Sequence, residues 1–162
     1  MALKVIDKGY GNYKKAFQDL NSKKVVVGVF KESGEEVRIR AIVNEFGTTK
    51  AGKNRNIVIP ERSFLRSTFN KNYKKISKKF SKIPKLIRSG RFDVMRELKL
   101  IGLYQKNQVK KTIIDFKDPA NALSTIKNKG FDNPLIETGQ LLKSISFKIL
   151  KKWAVLENTR WR

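Results

Sequence analysis

Two long helical patterns constrain the fold of this chain more than any other feature. The first opens at Pro60, and its apolar residues recur every three or four positions, within about 80° of one another on a helix of 3.6 residues per turn. They are Leu65, Phe69, Tyr73, Ile76, Phe80 and Ile83. The second pattern, from Phe92 to about Phe116, carries Val94, Leu98, Ile101, Gln105, Val109 and Thr112. We expect Pro84 to end or kink the first helix and the two helices to pack side by side.

Shorter segments supply the rest of the fold. The β-branched run at residues 24–30 predicts a central strand, and residues 2–7, 57–59 and 146–150 have the pattern of shorter strands. Residues 153–156 predict a further strand that closes the chain as a hairpin or bend, and residues 12–20 and 35–46 predict two more helices. We therefore predict an α+β fold with a small mixed or antiparallel sheet packed against two long helices, forming one domain over residues 1–162.

Long polar connections interrupt these elements. Residues 48–56 predict a flexible loop, and residues 117–134 a second, irregular one with helix-like hints at 120–126. Loops this long inside a compact domain are usually functional or disordered, so we expect both to face a partner. The end of the chain, at residues 157–162, is expected to be loose.

The segment at residues 127–145 combines a loop, a short helix and the entry to a strand. Gly130 and Pro134 are expected to hold the loop in an irregular conformation, because glycine permits positive φ and proline removes a backbone donor. Thr138 is expected to cap a short helix that buries Leu141. Thr138 and Gly139 therefore predict a cap and a turn more readily than a binding site.

The composition argues against several kinds of chemistry. The chain has no cysteine and no histidine, so disulfides, thiolate nucleophiles and the commonest general base are excluded. We predict that the protein is not an enzyme and has no catalytic, cofactor-binding or metal-binding residues; a magnesium site at Asp115 and Asp118 is a distant alternative. No apolar run approaches the roughly 20 residues of a membrane span, and no signal-peptide core is present, which predicts a soluble, unexported protein without a membrane partner.

The charge is strongly positive, with 37 Lys and Arg against 14 Asp and Glu, a net charge of +23. Two explanations stay open: compositional bias in a chain rich in Lys, Asn and Ile, and selection for binding a polyanion. No acidic residue lies between Glu61 and Asp93. In the predicted helix after Pro60, the lysines lie on the face opposite the apolar stripe. That lysine face is either solvated or a polyanion-binding surface, and its candidate residues are Lys71, Lys74, Lys75, Lys78, Lys82 and Lys85.

Three separated motifs resemble one family. The first is Val27-Gly28-Val29-Phe30 with residues 41–48, Ala-Ile-Val-Asn-Glu-Phe-Gly-Thr; the second is residues 59–66, Ile-Pro-Glu-Arg-Ser-Phe-Leu-Arg; and the third covers residues 121–130 and 134–145. In this order they resemble tailed-bacteriophage neck proteins of the tail-completion or head–tail joining type, and they span most of the chain. The lysine-rich helix departs from the pattern.

The resemblance implies a small α+β domain that assembles as a ring, commonly a hexamer, in the neck of the virion after assembly in the host cytoplasm. The implied partners are further copies of the chain, a tail tube or tail terminator protein and a head connector or adaptor protein, with DNA passing through the lumen. It implies no catalytic residues. The alternative function is a basic DNA-binding module that uses the lysine face.

The expected assembly interface lies on motif residues in the two loops and directly beside them. Glu45 and Glu137 are scarce negative charges that either pair with the lysines of a neighbouring subunit or form local salt bridges and helix-end interactions. The complete candidate set is Glu45, Phe46, Gly47, Thr48, Lys129, Gly130, Pro134, Glu137, Thr138 and Gly139.

Overall fold

The computed structural model describes residues 9–151. Its helices are α1 (Tyr10–Ser22), α2 (Glu35–Phe46), α3 (Leu65–Arg88), α4 (Val94–Asp115), α5 (Leu123–Lys129) and α6 (Gln140–Ser144). Its strands are β1 (Lys23–Val29), β2 (Thr48–Ala51), β3 (Ile57–Ile59) and β4 (Ile145–Lys151). The predicted strands at residues 2–7 and 153–156 and the chain end at 157–162 lie outside the described residues. The fold is α+β, as predicted.

The strands form two small sheets in the described part of the chain. One pairs β1 with β4, which the sequence predicted as strands. The other pairs β2 with β3 in antiparallel fashion, with Thr48 opposite Ile59 and Ala51 opposite Ile57. The prediction of a loop throughout residues 48–56 was therefore wrong at its start. The polar sequence of β2 gives no strand signal of its own. These residues form a strand because β3 pairs with them.

The described chain divides into two compact units. Within the described range, the first contains residues 9–26, 74–102 and 148–151; the second contains residues 27–73 and 103–147. Strands β1 and β4 and helices α3 and α4 contribute to both units. The expectation of a single domain stays a prediction.

Each unit has its own apolar core. In the first unit, α1, α3 and α4 meet around buried Ala16, Ile83, Ile87, Val94, Leu98 and Ile101. Pro84 lies inside α3, and the helix continues to Arg88. Interrupting a helix with proline costs about 3 kcal/mol. The burial of Ile83 and Ile87 on either side of it offsets that cost at about 1.5–3 kcal/mol for each side chain.

The core of the second unit collects residues from all three sequence motifs. Ala41 of α2, Phe64 before α3, Leu135, Leu141 and Ile145 are buried together with two residues of α4, Val109 and Ile113. Helix α2 also packs against the short helix α6. The three motifs are therefore parts of one packed unit, although up to about 100 residues separate them in the sequence.

Helices α3 and α4 contact each other within each unit, but the inward face of α3 differs from the predicted stripe. Phe69 and Tyr73 are 48% and 58% exposed, and their rings form an edge-to-face pair. Thr68 and Asn72 are buried in their place. The Thr68 hydroxyl lies 2.6 Å from that of Thr112, and the Tyr104 hydroxyl donates to Asn72 Oδ1 at 3.2 Å. Polar groups are tolerated here because their hydrogen bonds are satisfied.

Candidate functional site

Glu45, near the end of α2, organises the junction between the first two motifs. It is 3% exposed. Its carboxylate accepts hydrogen bonds from the backbone N–H groups of Phe64, Leu65 and Arg66 at 2.8–3.0 Å. It also accepts from the Ser63 hydroxyl at 2.9 Å and from Arg66 Nε at 3.1 Å. These donors lie at the start of α3 and just before it, so Glu45 caps that helix from another helix.

This cap explains one departure from the sequence predictions and decides the interpretation of Glu45. Helix α3 begins at Leu65 and not at Pro60, because the chain must first pass across the carboxylate that satisfies its N-terminal N–H groups. Glu45 itself lies inside the unit with all its contacts local, so its interpretation as a helix-end charge agrees with the geometry. An interface role for it would require access that its burial does not give.

Gly47 lets the chain leave α2 close to the segment that enters α3. Its φ is +70°, and a Cβ placed on it would lie 2.8 Å from the Glu61 nitrogen and 3.0 Å from the Ile59 carbonyl oxygen. Any other residue would combine an unfavourable backbone conformation with a backbone clash. The neighbouring Phe46 is exposed, and the Arg66 guanidinium lies 4.7 Å from the centroid of its ring. Thr48 begins β2.

Arg62 attaches the long connection after α4 to α2. Its Nε and Nη2 atoms donate to the carbonyl oxygens of Pro119 and Ala120 at 3.2 and 3.1 Å. Its backbone N–H donates to the Asn44 carbonyl at 2.6 Å. The side chain is buried and meets only neutral acceptors at hydrogen-bonding distance, and burial lowers the pKa of Arg62 while the Asp132 charge raises it. The positive charge is thus held inside the unit without a contacting carboxylate.

Asn133 fixes the start of the third motif's second half. Its Nδ2 atom donates to the carbonyl oxygens of Ile113 and Ile114 at the end of α4, at 3.2 and 2.9 Å. Its Oδ1 atom accepts from the backbone N–H groups of Leu135 and Ile136 at 3.0 Å. Neither Asn133 nor Arg62 was among the predicted site residues, although Arg62 lies within the second motif. An Asn before proline and an Arg between Glu and Ser are common surface patterns too.

Lys129 and Gly130 end α5, and Lys129 points its ammonium group toward the following loop. The Nζ atom donates to the Asn133 carbonyl at 2.8 Å and lies 5.1 Å from the centroid of the Phe131 ring. Burial lowers the pKa of Lys129; Glu137 and Asp132 raise it, and Arg62 lowers it further. A helix over residues 123–129 replaces part of the irregular loop that the sequence predicted.

The remaining predicted residues surround the start of α6. The predicted cap is one residue out of place, because the N-cap is Gly139 with a φ of 72°, and no side chain caps the helix. The Thr138 hydroxyl only approaches the Gln140 N–H, at 3.5 Å. Glu137 forms an ion pair with Arg40 of α2 at 3.7 Å. Glycine suits position 139 because left-handed conformations carry little cost without a Cβ.

A groove of about 570 Å³ brings half of the predicted interface together. Of the ten residues in that set, Lys129, Pro134, Glu137, Thr138 and Gly139 line it. The other five, Glu45, Phe46, Gly47, Thr48 and Gly130, are not among its lining residues. Residues that the sequence did not single out complete the walls, notably Arg40 of α2, Arg62 and the three residues of β3.

The six candidate lysines of the polyanion-binding face are all exposed on α3. Lys71 lies in the second unit, and the other five lie in the part of α3 that belongs to the first unit. Their exposure leaves both interpretations open, a solvated face and a binding surface.

The described residues show no further chemical centre. No group of three or more acidic side chains in residues 9–151 is arranged to hold a metal ion. In the same range, no helix combines the length and the apolar character that crossing a membrane requires. The chain matches no protein-family model, no curated protein and no solved structure.

Proposed function

We propose that this chain is a structural protein of a tailed-phage virion, a subunit of a ring in the neck that completes the tail and joins it to the head connector. The observation that carries the proposal is the exposure of large apolar side chains on the elements that hold the first two motifs. Ile39 and Phe46 on α2 and Ile57 and Val58 on β3 are all more than half exposed. Ile57 and Val58 are neighbours in β3, and exposed apolar side chains that are grouped on a surface favour contact with another protein.

The packing of the motifs supports the resemblance on which the proposal rests. Glu45 from the first motif caps the helix that the second motif begins, and Leu141 and Ile145 from the third pack in the same core. The motif residues therefore have a common structural role, which is a physical reason for the three motifs to occur together in one chain. The function then depends on shape and subunit contacts, and no catalytic residue is required.

The test is assembly of the purified chain, alone and with tail tube or terminator and head connector proteins, followed by electron microscopy and sedimentation. We expect a closed ring or binding to one of these partners. Phe46→Asp and Val58→Asp should abolish it, because a charge would be buried in the contact. Leu100→Asp, at an exposed apolar position of the first unit, is the matched control and should assemble. The absence of both a closed oligomer and partner binding at all concentrations would refute the proposal.

A basic DNA-binding module is the second candidate, and the exposed lysines of α3 favour it. No acidic residue lies on α3 itself, so the attraction to phosphate is not offset within the helix. Each phosphate contact should add about 0.9 to the slope of log affinity against log salt concentration. Replacing Lys78 and Lys82 with Gln should therefore reduce the slope by about 2. Tight binding with a shallow slope that these changes leave unaltered would rule against this candidate.

A further inference from the structure

The groove of the second unit has a strand as one of its walls. Ile57, Val58 and Ile59, the whole of β3, line it, together with parts of α2, α5 and the segment around α6. Ile57 and Val58 are 53% and 66% exposed. Within residues 9–151, β3 has a strand neighbour on one side only, because its sheet contains two strands. The open edge of such a strand offers backbone donors and acceptors to another extended chain.

The charged groups of the groove are mainly positive. Arg40, Arg62 and Lys129 line it, and Glu137 is the one acidic residue among its lining residues. Arg62 donates to neutral oxygens, and Lys129 donates to a backbone carbonyl. Two of the three cations are therefore held without a carboxylate in contact. A ligand that brings carboxylates into the groove would complement this arrangement.

We propose that this groove binds an extended, acidic segment of another protein, which adds to β3 as a strand. Its carboxylates lie beside Lys129 and beside Arg40, where they share a guanidinium that already forms exposed ion pairs with Glu36 and Glu137. In a strand, residues two positions apart lie on the same face, so such a segment carries acidic residues at alternate positions. The inference goes beyond the neck assembly and does not depend on it.

A second copy of this chain does not fit the description. In its whole sequence no two of the 14 acidic residues are two positions apart, and the adjacent pair Glu35 and Glu36 belongs to α2. No segment of this chain therefore carries acidic residues at alternate positions.

The first experiment uses a fluorescently labelled peptide of about six residues with alternating Glu and Val, a typical strand length. Binding is measured by anisotropy with the full chain at physiological salt. A peptide with Lys in place of Glu should not bind. A peptide with Pro in place of Val should bind at least about tenfold more weakly, because proline cannot donate to β3. Equal binding of the Pro peptide would overturn strand addition.

A matched pair of double variants separates the groove from general attraction to a basic protein. Arg40→Gln with Lys129→Gln should weaken binding of the Glu-Val peptide about tenfold, because the contacting charges are lost. Lys78→Gln with Lys82→Gln removes the same charge from an exposed part of α3 and should change binding by less than about threefold. Equal losses in the two variants, or a loss in neither, would overturn the proposal.

Hydrogen exchange is measured on the unchanged chain, so its result does not depend on whether a variant folds correctly. Adding the Glu-Val peptide should slow amide exchange in β3 and leave the amides of α1 unchanged. No slowing at residues 57–59 would overturn strand addition. Exchange at these residues could instead be slow without the peptide, at a rate that depends on protein concentration and that the peptide does not change. This result would show that a second copy occupies the groove, and it would also overturn the proposal. Ring assembly is not needed in any of these measurements, so their failure is distinct from failure of the proposed function.

Discussion

Replacing Glu45 with glutamine tests whether one buried carboxylate holds α2 and α3 together. The substitution keeps the shape of the side chain and exchanges one acceptor oxygen for an NH₂ group. In the structure, one carboxylate oxygen accepts from Phe64 and Leu65, and the other accepts from Ser63 and from two groups of Arg66. Whichever way the amide turns, at least two donors lose their acceptor.

The expected cost follows from that count. A donor left unsatisfied in a buried site costs about 1–3 kcal/mol, so Glu45→Gln should reduce the free energy of unfolding by about 2–6 kcal/mol. This is a large share of the roughly 5–15 kcal/mol by which natural domains are stable. Urea unfolding followed by circular dichroism gives the value, provided that the dependence on urea concentration is unchanged in the variant.

Glu61→Gln is the matched control, because Glu61 carries the same group and contacts the same Arg66, at 2.7 Å. Its side chain is 55% exposed, and exposed ion pairs contribute about 0–1 kcal/mol. We expect the control to cost less than about 1 kcal/mol. If Glu45→Gln cost no more than Glu61→Gln, the carboxylate would not be the cap of α3, and the stability of this junction would have to come from the apolar core.

Three further predictions concern single positions. Gly47→Ala should destabilise the fold more than Gly139→Ala. Both positions have positive φ, which costs about 1–2 kcal/mol with alanine, but only at Gly47 does the added Cβ clash with backbone, at a further cost of about 1–3 kcal/mol. Equal melting temperatures of the two variants would contradict this. Ile76→Ala should cost about 2–5 kcal/mol in urea unfolding, whereas Tyr73→Ala should cost less than about 1 kcal/mol; similar costs would restore the predicted stripe. Burial lowers the pKa of Lys129, so the folded chain binds fewer protons than the unfolded chain just below the ordinary value of 10.5, and stability should rise with pH there. Unfolding measured across that interval should show a smaller rise in Lys129→Met, and an unchanged rise would contradict the assignment.

The sequence predicted most elements because their signals are local. Helices α2 and α4 and strand β1 have apolar residues at the spacing that their own backbone geometry requires, and no distant contact is needed to recognise it. Residues 48–51 lack such a signal. They form a strand because β3 pairs with them, and pairing depends on a neighbour and not on the residues themselves.

The candidate site was predictable only in part for the same reason. The motifs directed attention to Lys129, Pro134 and Glu137, which do line the groove. The predicted set omitted Arg62, which lies inside the second motif, and Asn133. The importance of both residues comes from carbonyl groups that other segments place within reach. A side chain that binds backbone oxygens leaves no periodic pattern in the sequence.

By itself, the sequence determined the class of the fold, the two long helices and the absence of cysteine and histidine chemistry, since all of these follow from composition and spacing. The tertiary structure decided which face of α3 turns inward. Thr68 and Asn72 are buried while Phe69 and Tyr73 are exposed, because α4 supplies hydrogen bonds to the polar pair. It also decided that Glu45 is a cap, since a carboxylate becomes one only when the start of another helix is brought against it.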